Sequence, residues 1–274
     1  MNAPIDTHRP LQFRDDLDES GAWPEKPELS SPTLSIVIPV HDEEANIIPL
    51  LGEIHQQLKW KYRYEVVVVD DNSSDGTASA LEVLAGQDPA LKIIMLSRRC
   101  GQSSAVLQGV RAAMNPVIVT LDGDGQNVPD DIDRLVQRYR QVCRQSPRCL
   151  VIGNRHQRRD SGWRRFTSRV ANGIRSRVLG DGTPDSGCGL KVISREFFLE
   201  LPAFNHMHRF LPALVHQHGG EVFSVDIQHR SRQNGTSHYG SLDRLAEGII
   251  DLLGVVWLGR RTMKPEMRKG RRSA

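Results

Sequence analysis

Residues 34–42, with the sequence LSIVIPVHD, contain the pattern that decides the fold. A short apolar run that ends in polar residues is typical of a strand buried on both faces of a parallel sheet. Residues 43–59 follow with apolar side chains at helical spacing, which predicts a helix directly after the strand. The stretch therefore predicts the first unit of a layered α/β domain.

Three more apolar strands follow along the chain. The sequence predicts them at 65–70, 91–96 and 116–121, with further helices at 75–86 and 102–114. This alternation predicts a single Rossmann-like α/β domain with a mostly parallel central sheet. In such sheets ligands bind beyond the carboxyl ends of the strands, so the residues that follow each strand are the candidate site.

Three of the four predicted strands end in acidic clusters. The clusters are HDEE (41–44), DDNSSDGT (70–77) and DGDGQN (122–127). Carboxylates crowded on one rim repel each other unless a cation or hydrogen-bond donors compensate. The rim therefore predicts a site for a divalent metal ion, for ribose hydroxyls, or for both.

Asp122 and Asp124 are the sharpest candidate metal ligands. Because they are spaced two apart directly after a strand, both carboxylates can reach one ion, and Gly123 permits a tight turn. Hard oxygen ligands suit Mg²⁺ or Mn²⁺, which keep positions open for substrate phosphates. The alternative is an Asx turn that caps the next helix. The buried strand before the pair and the two other acidic rims favour the metal site.

Asp71 and Glu43 are candidates for hydrogen bonds to a nucleotide base or ribose. The alternatives are a capping role for the 70–77 run and a favourable helix N-terminal position for Glu43. The chain has no GxGxxG after the first strand and no GxxxxGK[ST]. Their absence argues against a dinucleotide oxidoreductase and against a P-loop NTPase.

Composition and charge exclude several other classes. The 274 residues are 38% hydrophobic and 25% charged with a net charge of +3, so a core can form and no nucleic-acid partner is expected. Four cysteines without a CxxC pair favour reduced thiols in a cytoplasmic protein. No signal-peptide pattern and no apolar run of about 18 residues occurs, so no spanning helix is expected.

The chain divides into three predicted parts. Residues 1–32 are interpreted as an N-terminal tail or a short arm, and 33–240 as the α/β domain. Residues 241–274 are interpreted as an amphipathic helix followed by a basic tail. Trp257 and the basic tail favour contact with the inner face of the cell membrane, and the alternative is a helix packed on the core.

Seven segments in order resemble the family-2 glycosyltransferases of GT-A fold, and most closely their dolichyl/polyprenyl-phosphate mannosyltransferase-like branch. They lie between residues 34 and 240: IVIPVHDEEANI, VVVVDDNSSDGT, SRRCGQSSAVLQGVRAA, VTLDGDGQNVPDDI, IGNRHQRR, DSGCGLKVISR and RSRQNGTSHYG. The resemblance implies an inverting enzyme that moves a hexose-type sugar from a GDP- or UDP-linked donor to a polyprenyl phosphate. With no spanning helix of its own, it would be peripheral or would use a membrane-protein partner.

The resemblance also implies which residues bind the donor. Four would contact the nucleotide base: Pro39, His41, Glu43 and Asp71. Three would hold Mg²⁺ or Mn²⁺ beside the diphosphate: Asp122, Asp124 and Gln126. Apart from the resemblance, Arg230 or Arg232 is a candidate to clamp the donor phosphates when the 230–240 loop closes. His41 and Gly123 replace the tyrosine and alanine usual in the family, which leaves the nucleotide and the sugar open.

Residues 155–177 hold eight arginines and one acid, a pattern typical of a phosphate site, a nucleic-acid patch or a solvated helix face. Few aromatic residues accompany them, which argues against nucleic acid. The resemblance implies an acceptor-phosphate site at three positions: Arg155, Arg164 and Ser168. A phosphate monoester is ionised near neutral pH and needs little help from a base. The alternative function, with a saccharide acceptor in surface polysaccharide or lipopolysaccharide synthesis, needs a general base, for which Asp185 is the candidate.

Overall fold

A computed structural model describes residues 32–155, 177–230 and 241–261. Its strands are β1 (Leu34–Val40), β2 (Tyr64–Asp70), β3 (Leu91–Met95), β4 (Val117–Thr120), β5 (Cys149–Arg155), β6 (Lys191–Ser194) and β7 (Glu221–Ile227). Its helices are α1 (Glu44–Leu58), α2 (Thr77–Ala85), α3 (Gln102–Ala112), α4 (Asp130–Cys143), α5 (Arg195–Glu200), α6 (Met207–Gln217) and α7 (Ser241–Arg261).

The strands form one sheet in the order β3-β2-β1-β4-β6-β5-β7. The four strands that the sequence predicts are β1 to β4, and they are neighbours with parallel pairing. β5 and β7 are also parallel to each other, whereas β6 runs antiparallel to both β4 and β5. The prediction of an α/β fold with a mostly parallel sheet is therefore confirmed.

Both faces of the sheet are covered, because successive side chains of a strand point to opposite faces. Ile36 and Ile38 of β1 are fully buried in the cluster that includes α1, α2 and α4. Val37 lies between them in sequence and is buried in the second cluster, with α3, α5 and α6. The strand is apolar at nearly every position because neither face of the sheet is exposed to water here.

α7 forms the first part of the segment 241–274, for which the sequence predicts an amphipathic helix, and its apolar residues lie on two sides. Val255 is fully buried and Leu252 packs against the second core cluster. Ile249, Leu253 and Trp257 point away from the domain and are at least half exposed. The helix is therefore both packed on the core and apolar on its outer surface. Within the described residues, no helix is both long and apolar enough to cross a membrane.

Candidate active site

A pocket of about 280 Å³ opens at the carboxyl ends of the central strands. The ends of β1, β2 and β4 and the turn before α3 line it. Its lining residues are Pro39, Val40, His41, Glu43, Asp71, Arg99, Gly101, Gln102, Asp122, Gly123 and Asp124. Six of the residues that the sequence singles out for the donor site thus surround one cavity, as the rule for parallel sheets predicts.

Asp71 ties the end of β2 to the start of α3. Its carboxylate accepts hydrogen bonds from the backbone N–H groups of Cys100 (2.6 Å) and Gly101 (2.8 Å). Gly101 has φ of 87°, a left-handed conformation that favours glycine. The carbonyl of Asp71 lies 3.0 Å from Nδ1 of His41 at the end of β1. Asp71 therefore fixes the shape of this end of the pocket, in addition to its predicted contact with a nucleotide.

Asp122 lies at the other end of the pocket in a crowded position. Its carboxyl keeps some access to solvent, but Nε2 of Gln102 donates to its Oδ1 at 2.8 Å. Gly189 lies so close behind it that an added Cβ would come within 2.1 Å of Oδ2. Burial, and then the charge of Asp124, raise the pKa of Asp122 to about 6, against the opposing effects of Lys191, Arg155 and Gln102.

A divalent cation fits this arrangement, because it would relieve the repulsion that raises the pKa of Asp122. The backbone N–H of Gln126 donates to Oδ1 of Asp124 at 3.2 Å, which places the third predicted ligand beside the pair. Among the described residues, no group of three or more His, Cys, Asp or Glu side chains is arranged to hold a metal ion. An ion at Asp122 and Asp124 would therefore need other oxygen ligands, such as an amide or substrate phosphates.

Arg155 and Asp185 form a two-point ion pair. Nε and Nη2 of Arg155 donate to Oδ2 and Oδ1 of Asp185 at 2.6 and 2.8 Å. Both side chains are about nine-tenths buried. Burial opposes the charge of Arg155, but Asp185 outweighs it and raises the pKa of the guanidinium. Such paired geometry is strong and directional, so Arg155 is held in a single orientation.

The turn between Asp185 and β6 connects this ion pair to Asp122. Oγ1 of Thr120 donates to the carbonyl of Gly189 at 2.7 Å, which presses the turn against the end of β4. The ammonium of Lys191 donates to the carbonyl of Cys188, and this lysine is 3% exposed. Burial lowers the pKa of Lys191. The positive charges of Lys191 and Arg155 therefore lie close enough to Asp122 to favour its ionised form.

Arg230 is placed differently from the sequence-based expectation. Its Nη1 donates to both carboxylate oxygens of Glu53 on α1 at 2.9 Å. Its backbone N–H donates to the carbonyl of Gln126 at 2.9 Å, so the segment lies beside the loop that carries Asp124 and Gln126. The guanidinium of Arg230 does not line the pocket. Three other predicted site residues lie outside the described residues: Arg164, Ser168 and Arg232.

Sequence reasoning missed Arg99, Gln102, Gly189 and Lys191. Arg99 and Gln102 lie between the end of β3 and the first turn of α3. Ligands bind beyond the carboxyl ends of parallel strands, so a search after every strand, including one without an acidic end, would have found both residues. Gly189 and Lys191 carry no such signal, because their importance comes from an antiparallel strand that follows a long connection.

Comparison with known proteins agrees with this geometry. The model of the family described as "Glycosyl transferase family 2" matches residues 35–201. The chain belongs to glycosyl transferase family 2. Dodecaprenyl-phosphate galacturonate synthase of Rhizobium johnstonii is 32% identical over 237 residues, which are 85% of this chain and 69% of that protein. Undecaprenyl-phosphate 4-deoxy-4-formamido-L-arabinose transferase of Pseudomonas paraeruginosa is 34% identical over 223 residues, 80% of this chain and 64% of that protein.

A solved structure shares the fold of this family-2 chain. Glucosyl-3-phosphoglycerate synthase from Mycobacterium tuberculosis, in complex with Mn²⁺, UDP-glucose and phosphoglyceric acid, gives a TM-score of 0.62 at 18% identity. The match covers 85% of this chain and 81% of that chain. The seven-stranded sheet is therefore consistent with the GT-A fold of glycosyltransferases.

We expect Asp122→Asn to stabilise the metal-free family-2 domain. Because the folded pKa of Asp122 is raised above its unfolded value, its ionisation costs stability as pH rises from about 4 to about 6. Urea unfolding in EDTA should show a gain of about 1–3 kcal/mol for the variant at pH 7.5, and a smaller gain at pH 4.5.

The matched control is Asp130→Asn, which removes an exposed carboxylate in the first turn of α4. It should change stability by no more than about 0.5 kcal/mol. Mn²⁺ should raise the melting temperature of the wild type but not of Asp122→Asn. A loss of stability in metal-free Asp122→Asn at pH 7.5 would contradict the conclusion that ionisation of Asp122 destabilises the folded protein.

Proposed function

We propose that this chain is an inverting glycosyltransferase that moves a hexose-type sugar from a nucleotide diphosphate to a polyprenyl phosphate. Both named relatives are described as polyprenyl-phosphate enzymes, and the matched region spans 69% and 64% of their lengths. The observation that carries the proposal is the placement of the fixed Arg155–Asp185 pair one short turn from the acidic end of the donor pocket.

The donor lies along the pocket, with the base near the end of β2 and the diphosphate near Asp122. Arg99 is the one guanidinium among the described lining residues. Guanidinium donors match carbonyl oxygens, and carboxylates such as Asp71 match ring N–H groups. Uracil and guanine each present both kinds of group, which supports a UDP- or GDP-linked sugar.

Asp122, Asp124 and Gln126 would hold Mg²⁺ or Mn²⁺. When bound, the ion supplies charge neutralisation for the departing nucleotide diphosphate. The chain itself keeps the two carboxylates adjacent. The hydrogen bond from Gln102 and the positive charge of Lys191 reduce the free-energy cost of ionising Asp122 beside Asp124.

The acceptor site favours a nucleophile that is already ionised. Both carboxylate oxygens of Asp185 accept hydrogen bonds from Arg155, so the pair is better suited to orient an anion than to take up a proton. Nη1 of Arg155 makes no hydrogen bond to the described residues and can donate to a phosphate oxygen. A phosphate oxygen that attacks the anomeric carbon opposite the diphosphate inverts its configuration, and Arg164 and Ser168 are the further predicted acceptor contacts.

α7 provides the contact with the membrane that holds the lipid acceptor. Ile250, Leu253 and Trp257 are between 60% and 69% exposed, so the helix presents a continuous apolar strip to its surroundings. Arg260 and Arg261 stand in its last turn. Apolar side chains with basic residues beside them suit an anionic membrane surface, with about 1 kcal/mol for each basic group near it.

Transfer assays test the proposed reaction. With Mn²⁺, undecaprenyl phosphate and a panel of radiolabelled UDP- and GDP-sugars, the wild type should place label in the organic phase. Asp124→Ala should lower the rate at least about a hundredfold, because a charge-stabilising group is lost. Asp130→Ala is the matched control and should keep its activity. Label that appears only in a water-soluble saccharide product, or transfer that does not depend on metal, would refute the proposal.

Vesicle flotation tests the membrane contact. The test uses vesicles in which about a third of the lipid is anionic. The variant Leu253→Glu/Trp257→Glu should bind them at least about fivefold more weakly than the wild type. Val83→Glu changes an equally exposed apolar residue on α2 and should bind normally. Equal flotation of all three proteins would show that α7 does not carry membrane binding.

A further inference from the structure

A second pocket, of about 370 Å³, adjoins the donor pocket. The residues from 99 to 104 contribute to both, since Arg99, Gly101 and Gln102 line the donor pocket while Cys100 and Ser103 line the second. The remaining wall of the second pocket is the segment that leads into α6. Two cavities of different chemistry thus share one turn.

The second pocket is uncharged. Leu107 on α3 and Phe204 and Met207 before and within α6 supply apolar surface, and the lining that the structure describes contains no Asp, Glu, Lys, Arg or His. The donor pocket, in contrast, contains several carboxylates and a guanidinium. The second pocket therefore suits a hydrocarbon better than a nucleotide, a sugar or a phosphate.

The pocket lies close to the atoms where transfer would occur. Gln102 donates to Asp122, and the next residue, Ser103, has its hydroxyl 2.7 Å from Nδ1 of His208. His208 in turn lies near enough to Lys191 for the lysine charge to help lower its pKa, after the larger effect of burial. A ligand fixed near Asp122 can therefore extend past the start of α3 into the uncharged cavity.

The rim of the pocket is also joined to α7. His206 has φ of 66°, an unfavourable left-handed conformation for a residue with a side chain, and its Nδ1 lies at hydrogen-bonding distance, 2.8 Å, from Oδ2 of Asp251 on α7. Ile250, beside Asp251, is 69% exposed. The segment at the start of α6, which forms one wall of the uncharged cavity, is therefore joined to the helix that carries this exposed apolar surface.

We propose that this second pocket binds the first isoprene units of the lipid acceptor. The inference rests on the proposed function, since it assumes a polyprenyl phosphate. The phosphate end lies toward Arg155 and Asp122, the adjoining hydrocarbon occupies the space between α3 and Phe204, and the rest of the chain continues along α7 into the membrane. Removal of apolar groups from water is favourable, so burial of a few isoprene units adds substantially to acceptor affinity.

Cys100 allows a direct test, because its partly exposed thiol belongs to a residue that lines the pocket. Cys149 and Cys188 are buried, and Cys143→Ser removes the remaining partly exposed thiol. In that variant, farnesyl phosphate should slow alkylation of Cys100 by N-ethylmaleimide at least fivefold, as followed by mass spectrometry. Inorganic phosphate, or UDP with Mn²⁺, should protect far less. Equal protection by UDP with Mn²⁺, or none by farnesyl phosphate, would overturn the inference.

Chain-length preference provides the second test. Leu107→Glu and the rim substitution Ala203→Trp should raise KM for farnesyl phosphate at least about tenfold. The increase should be smaller for isopentenyl phosphate, which has a single isoprene unit, and KM for the donor sugar should change little. Val83→Glu is the control. If the wild type transfers sugar to neither lipid, the proposed function fails. If it transfers to both and the pocket variants keep the wild-type preference, the inference about the pocket fails alone.

Discussion

Electrostatic repulsion between the neighbouring carboxylates Asp122 and Asp124 is the constraint on which the site depends. The backbone at Gly189 restricts the space for water behind Asp122, so its charge is poorly solvated. Burial, and then the charge of Asp124, keep the pKa of Asp122 at about 6, so Lys191, Arg155 and Gln102 offset these two effects only in part. A fold that keeps such a group in place supports the proposal that a cation, with the diphosphate of the donor, binds here.

The antiparallel strand β6 makes this arrangement possible. In a parallel sheet the carboxyl ends of the strands share one edge, and the amino end of an antiparallel strand lies at that same edge. Lys191 at the start of β6 pairs with Thr120 at the end of β4. The turn that precedes β6 therefore carries Asp185 and Gly189 to the rim where Asp122 stands. One reversal of strand direction brings the proposed donor and acceptor sides of the cleft together.

Much of the proposed donor side can be predicted from the sequence, because its residues belong to patterns that are local in the chain. Four apolar runs become four parallel strands, and the polar residues after β1, β2 and β4 gather around one pocket. The structural role of Asp71 was not predictable, because the residues that donate hydrogen bonds to it, at 100 and 101, lie about thirty residues further along the chain. The two faces of α7 also needed the structure, because periodicity marks apolar residues without stating which of them are covered.

The side-chain pairs on the proposed acceptor side were harder to predict from the sequence. The Arg155–Asp185 pair joins residues 30 apart across a strand reversal, and the Arg230–Glu53 pair joins residues 177 apart. A pattern of arginines indicates anion binding but does not show which guanidinium groups are already paired within the protein. Tertiary pairing thus changes the interpretation of Arg230, whose side chain contacts α1, and of Asp185, whose carboxylate orients Arg155.

Anomalous diffraction from crystals grown with Mn²⁺ and UDP tests the central claim most directly. The account predicts one manganese peak within about 2.2 Å of carboxylate oxygens from both Asp122 and Asp124, with diphosphate oxygens completing its coordination. It also predicts that the Arg155–Asp185 pair keeps the orientation described above. A manganese ion bound elsewhere, with the diphosphate away from Asp122, would contradict the account.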